Sequence, residues 1–184
     1  MNKLAVVSVV IILVVSAGSA ADGPEVMFRG GVFWPSDPDF RTIYGGGAIW
    51  GIEVSWLLWH HIEPWISGDL FCKRGHMIPT VEETRIWLVP VAAGLRYVGR
   101  IGPIRLHAGG GIVYHFFKET APIGEVTDGG WSATAEGGCR IPLSKTWDIG
   151  LSLRYSRCRM KPQELSFDVG GLQAALGIGF RLAT

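Results

Sequence analysis

The sequence predicts an all-β fold: an eight-stranded antiparallel transmembrane up-and-down β-barrel preceded by a cleaved signal peptide. Three observations carry this prediction. The chain opens with an export signal, its apolar residues then recur at every second position in eight segments, and the connections between those segments alternate between short and long.

The export signal has three parts. Met1-Asn2-Lys3 is a short basic start, the run from Leu4 to Val15 is apolar except for Ser8, and Ser16-Ala17-Gly18-Ser19-Ala20-Ala21 supplies small residues. That order is the one a secretory signal takes. Cleavage is expected after Ala21, leaving residues 22–184 as one barrel domain. The apolar run is short for a helix that must cross about 30 Å of hydrocarbon, which disfavours an uncleaved anchor.

The chain holds 17 Lys+Arg against 16 Asp+Glu, and removal of Lys3 with the signal balances them. A bulk electrostatic partner such as nucleic acid is therefore not expected. The cysteines, Cys72, Cys139 and Cys158, are odd in number and far apart in sequence, so neither a full set of disulfides nor a zinc site is suggested.

Alternation begins at Glu25. Val26, Phe28, Gly30, Val32 and Trp34 form one face, and Glu25, Met27, Arg29, Gly31 and Phe33 the other. Successive side chains of a strand point to opposite faces, so residues 25–34 read as a strand with one apolar face. The same pattern recurs at 47–57, 64–74, 85–97, 104–117, 131–141, 147–156 and 172–181. Strands of about ten residues span a bilayer when tilted.

Short turns are predicted at His60-His61, at residues 99–103 and at 144–146, with longer polar loops at 35–43, 75–84, 119–129 and 161–168. That arrangement places the turns on the periplasmic side and four loops outside. The polar face carries Arg29, Glu53, Asp69, Arg96, Arg105, Glu136, Arg140, Arg154 and Arg181. Aromatic residues mark the ends of the other face: Trp34, Trp50 and Tyr155 towards the loops, and Trp56, Trp65, Tyr97, Trp147 and Phe180 towards the turns. Trp and Tyr favour membrane interfaces, and glycines on the polar face leave room for arginines inside. Both features favour lipid outside and charge inside over the alternative, a soluble lipocalin-like barrel.

The alternating strands, the Tyr44-Gly45-Gly46-Gly47 entry to the second strand and the ending Ala174-Ala175-Leu176-Gly177-Ile178-Gly179-Phe180-Arg181-Leu182 resemble the small outer-membrane β-barrel superfamily, the OmpA/OmpX/OmpW and opacity-protein type. The likeness covers the whole mature chain. It implies Sec-type export, residence in a bacterial outer membrane, contact with outer-membrane lipids including lipopolysaccharide, and insertion by the barrel-assembly machinery. Members commonly end on an aromatic residue which that machinery reads. Here the chain continues past Phe180 to Thr184, and Phe180 is the residue expected to serve.

For the interior charges the expected role is a structural network, with Glu53, Asp69, Glu136 and Asp148 neutralising nearby arginines, because an eight-stranded barrel is barely wide enough for its own side chains. The competing role is a selectivity lining. His107 and His115 lie about 26 Å apart along a strand at about 3.3 Å per residue and cannot share a metal. His60-His61 reads as a solvated turn. No Ser–His pairing follows from spacing, so neither an enzyme nor a cofactor is expected. Pro90 removes a donor in mid-strand, where a bulge is expected; the alternative is a seam for a small apolar molecule. Arg74, Lys118, Arg157 and Arg159 are predicted outside near the loops, as a rim for lipopolysaccharide phosphates. A monomer is expected, with a structural or surface-interaction role. The alternative is a narrow channel or carrier for small, possibly apolar, molecules.

Overall fold

The computed structural model describes residues 23–76, 83–122, 124–160 and 167–182. The signal segment with its cleavage position, and much of the predicted loops at 75–84 and 161–168, lie outside the described residues. Strands β1 (Glu25–Pro35), β2 (Gly47–Ser55), β3 (Ile62–His76), β4 (Glu83–Ile101), β5 (Ile104–Ala121), β6 (Gly124–Pro142) and β7 (Trp147–Ser156) follow one another around the wall. Two-residue strands β8 (Arg159–Met160) and β9 (Phe167–Asp168) pair only with each other. β10 (Gly171–Arg181) then pairs with both β7 and β1 and closes an eight-stranded antiparallel barrel.

Alternation dictates what each face meets. On β4, Arg85, Trp87, Val91, Ala93, Leu95 and Tyr97 are exposed, whereas Ile86, Leu88, Pro90, Ala92, Arg96 and Val98 are buried. The outer surface is apolar all round: Phe28, Ile112, Leu176 and Ile178 each expose more than half their area. An apolar patch of that extent is untenable in water but matches hydrocarbon. From Trp87 to Tyr97 the strand runs about 33 Å at about 3.3 Å per residue, and a tilt of about 40° reduces this to the roughly 25 Å apolar band of such barrels.

The structure departs from expectation in several places. The first loop is partly helical: α1 (Pro38–Tyr44) starts at Asp37, whose carboxylate accepts from the N–H groups of Asp39 and Phe40 at 2.9 and 3.0 Å. Proline at the first helical position suits this start. Phe40, Ile43 and Tyr44 share one face of the helix, and that face packs on the barrel mouth. The third predicted loop, 119–129, is mostly strand, since β5 and β6 stay paired up to Ala121 and Gly124. β4, β5 and β6 accordingly reach 19, 18 and 19 residues and rise beyond the belt as a sheet. Gly124, at φ 144°, supplies the backbone shape of that hairpin turn.

Pro90 makes no bulge. Gly68 faces Val91 and Phe71 faces Leu88, so the register is unchanged across the site. Asp69 and Leu70 instead lack ladder partners on β4. Proline removes a donor without adding a residue, and the ladder is interrupted, not shifted. On the other side Pro90 pairs normally opposite His115.

Two anchors hold α1. The Tyr44 hydroxyl donates to Glu119 on β5 and lies 3.2 Å from the Thr84 hydroxyl on β4. Burial and the Glu119 carboxylate push the Tyr44 phenol well above its ordinary value, so it keeps its proton. At the other end, Asp37 also accepts from the Asp168 N–H at 2.9 Å. Burial would raise the Asp37 carboxyl, but the three N–H donors and Arg41 outweigh it and hold the carboxyl below the usual range. Tyr44→Phe should cost about 1–2 kcal/mol of local stability, the penalty for leaving Glu119 without this donor, and should speed amide exchange in α1. Because the Asp37 carboxyl is depressed, its contribution is complete above the ordinary carboxylate value of about 3.9 and is lost as pH falls through the depressed one. Amide protection in α1 should therefore hold from neutrality to about pH 4 and drop below it; a loss confined to higher pH would contradict the assignment.

Candidate functional site: the barrel interior and its outer rim

The interior of the lower barrel is a continuous ion-pair network. Glu53 on β2 is its hub, contacted by Arg29 of β1 at 2.9 Å, Arg96 of β4 at 2.8 Å, Arg140 of β6 at 3.0 Å and Arg154 of β7 at 3.1 Å. Asp69 receives Arg29 at 2.8 Å and Arg154 at 3.2 Å. Glu136 binds Arg96 at 2.9 Å and Arg154 at 2.7 Å. Glu63 pairs with Arg96 and, at 3.1 Å, with Arg140. Arg140 reaches on to Glu25 at 2.9 Å, and Glu25 and Asp148 are shared by Arg105 and Arg181 near the turns. Six arginines thus meet six carboxylates, and the set is neutral.

Local sequence makes this packing possible. Gly51 faces Asp69 across the β2–β3 ladder, and a Cβ there would fall 1.9 Å from the Asp69 carboxylate. Only glycine leaves Asp69 free to meet Arg29. Trp65 lies inside, 2% exposed, with the Arg154 guanidinium 4.4 Å from its ring centroid. That is a cation–π contact, and it removes Trp65 from the predicted aromatic girdle. The parity of Glu63, Trp65, Ser67 and Asp69 carries the correct signal, and β3 begins at Ile62, ahead of the predicted start at Pro64, which brings Glu63 into the network.

Towards the loops the interior turns apolar. Phe33, Phe40, Tyr44, Ile49, Phe71, Ile86, Leu88, Phe117, Cys158 and Val169 form one buried cluster, with Phe33 and Phe71 edge to face at 5.1 Å. Burial and the Asp168 and Asp128 carboxylates push the Cys158 thiol up to about 11, which keeps it unreactive. Beneath the cluster, the void lined by Met27, Arg29, Glu53, Arg96 and Arg140 measures about 10 Å³, about the space of one water. His115 Nε2 lies 3.2 Å from the Ser132 hydroxyl, a pairing that sequence spacing did not reveal because the two sit on neighbouring strands. His115 is 1% exposed and faces inward, away from lipid. Among the described residues, no group of three His, Cys, Asp or Glu side chains could hold a metal.

Outside, Trp34, Tyr155, Tyr97, Trp147 and Phe180 are exposed, and Trp56 is half-buried. Trp50 is exposed too, but it lies over Gly30 at the centre of β1. Trp59, Trp87 and Trp131 join the exposed aromatics, none of them singled out in the sequence as a girdle residue. The four rim cations are all exposed but do not converge. Arg157 and Arg159 line an open cleft of about 430 Å³ with Asp37, Tyr155 and Asp168, and Arg157 pairs with Asp168 at 3.1 Å. Arg74 lines a separate cleft with Arg85, and Lys118 pairs with Glu125 at 2.8 Å.

No protein-family model matches the sequence, and no curated protein matches it. Among solved structures, the chain is similar to the outer membrane protein OprG from Pseudomonas aeruginosa, with a TM-score of 0.69 and 14% identity over 90% of this chain and 99% of that one. Neisserial surface protein A gives a TM-score of 0.61 and 11% identity over 90% of this chain and all of the other. The attachment invasion locus protein Ail of Yersinia pestis, in complex with the heparin analogue sucrose octasulfate, gives 0.54 and 14% over 88% and 99%. The class is thereby defined: the chain has the fold of the small eight-stranded outer-membrane barrels.

Breaking the hub should be costly. Glu53→Gln leaves four guanidiniums short of a counter-charge, and loss of one partner from a buried pair costs about 3–5 kcal/mol. Arg181→Gln, at the part-exposed end, should cost well under half as much. Urea unfolding of the refolded chain in vesicles checks the ranking, and equal losses would remove Glu53 from its central place.

Proposed function

We propose that this chain is a bacterial outer-membrane protein that works through its outer surface and its loop-side extension, with the barrel as a closed anchor. The observation that carries this reading is the sealed interior: a neutral arginine–carboxylate network below and an apolar cluster capped by α1 above. A water path would need unpaired polar lining, and a barrel of this strand number has little room for one. The His115–Ser132 pair is enclosed by the wall, so the reading includes no catalytic centre. The role is structural or surface-interacting. The chain acts as a monomer among outer-membrane lipids that include lipopolysaccharide, whose phosphates lie at the level of Arg74, Lys118, Arg157 and Arg159. Insertion uses the barrel-assembly machinery, with Phe180 as the exposed aromatic near the end of β10.

Carriage of a small apolar molecule is the second reading. One observation favours it: the gap in the β3–β4 ladder at Pro90 lies next to Phe71 and Leu88 of the apolar cluster. Purified, refolded protein in planar bilayers should show no discrete openings while remaining a folded, heat-modifiable barrel. Reproducible openings would put the channel first. Pro90→Val should leave vesicle uptake of small apolar solutes unchanged, and reduced uptake would favour the carrier.

A further inference from the structure

Every arginine of the interior network has a carboxylate partner, whereas Arg74 and Arg85 on the outer face have none among the described residues. Arg74 on β3 and Arg85 on β4 face each other directly across the ladder. Both are exposed, and neither forms an ion pair among the described residues. Like charges directly opposite on a sheet destabilise it. Arg85 faces Thr120 of β5 on its other side, and Lys118, its diagonal neighbour there, is already paired with Glu125 at 2.8 Å. The cleft between them, about 210 Å³, is lined by Arg74, Glu83, Thr84, Arg85 and Thr120. Among the described residues Glu83 is the lone carboxylate that lines it, and it pairs with neither arginine.

Directly below the arginines on the same outer rows, Cys72 faces Trp87, and the apolar belt begins. A ligand that fits must therefore carry a compact double negative charge on an apolar body. A phosphate monoester carries about −1.5 to −2 near neutrality and takes the forked N–H groups of two guanidiniums at once. We infer that Arg74 and Arg85 form a clamp for the phosphate monoester of an outer-leaflet saccharolipid, whose acyl chains run down over Trp87 and Cys72. The clamp rests on the outer-membrane reading above. It assigns the lipid phosphate to this one cleft and not to the Arg157/Arg159 side, where Asp168 pairs with Arg157 and Asp37 is a second carboxylate in the lining.

The test uses the refolded full chain in phosphatidylcholine vesicles, with phosphorylated lipid A, with dephosphorylated lipid A, or with neither. Phosphorylated lipid A should raise the urea midpoint of the unaltered protein, and the dephosphorylated form should not. Arg74→Gln/Arg85→Gln should lose most of that rise, and Arg157→Ala/Arg159→Ala should keep it. Arg74→Glu supplies Arg85 with a cross-strand partner, so it should raise the midpoint in plain phosphatidylcholine and abolish the response. A full rise in the double Gln variant overturns the clamp. An equal rise on adding inorganic phosphate to plain vesicles also overturns it, because the ligand would then be a soluble anion. Failure of the unaltered chain to insert, read from loss of the heat-modifiable band, overturns the membrane reading itself; insertion without a phosphate response overturns the clamp alone.

Discussion

A narrow barrel in lipid can keep charges inside only if each finds an opposite charge there, because an arginine or carboxylate taken out of water alone costs several kcal/mol. In this chain the requirement is met by residues from all around the wall. Arg29, Glu53, Asp69, Arg96, Arg105, Arg140, Arg154 and Arg181 come one from each of the eight barrel strands. Glu53 alone reaches partners on four other strands. No two neighbouring strands could satisfy the set, so neutrality exists only once β10 has closed on β1. A slip of one residue in any strand would turn its charge towards lipid. The network thus fixes register as well as filling space, and it explains why Gly51 and the inward Trp65 are as necessary as the charges they accommodate.

The upper interior answers a different requirement. Where the wall leaves the membrane, solvent returns, and an apolar filling is the cheaper way to shut the mouth. β1, β2 and β10 stop at 11, 9 and 11 residues, while β4, β5 and β6 continue upward. The barrel rim is therefore uneven. Helix α1 occupies the low side, reaching Glu119 and Thr84 of the tall side through Tyr44 and the β9 end through Asp37. The cap is a consequence of that asymmetry: a helix of seven residues has little stability of its own and is held by what it covers.

Period-two alternation made the fold and the inner charges legible, because in a barrel of known strand count parity alone assigns each side chain to lipid or to interior. What escaped the sequence depended on neighbours in space. Asp37-Pro38 and the spacing of Phe40, Ile43 and Tyr44 carry a helix signal, but within a stretch rich in Asp and Pro it reads equally as a loop. The continuation of β5 and β6 through Thr120 and Glu125 rests on mutual pairing, which polar exposed residues do not announce. For Trp65, residue type and nearness to a strand end point to the girdle, but its parity with Ser67 and Asp69 is the stronger signal and sends it inward. His115 and Ser132 meet only because Val113 and Ser132 are register partners, a fact that no intrachain spacing encodes.

The same parity that sends charges inward explains why unpaired cations outside are informative. An outward side chain above the apolar belt has water available, so nothing in folding demands that it be paired, and a random surface would mix signs. On β3 and β4 the first charged row above Cys72 and Trp87 is instead Arg74 against Arg85, while nearby Lys118 is matched by Glu125. Folding therefore gains nothing from that row and loses a little by cross-strand repulsion. The interior shows that this sequence supplies carboxylates wherever a guanidinium must be neutralised from within the chain. In the proposed clamp this row, with Glu83 beside it but paired to neither arginine, takes its negative charge from a ligand.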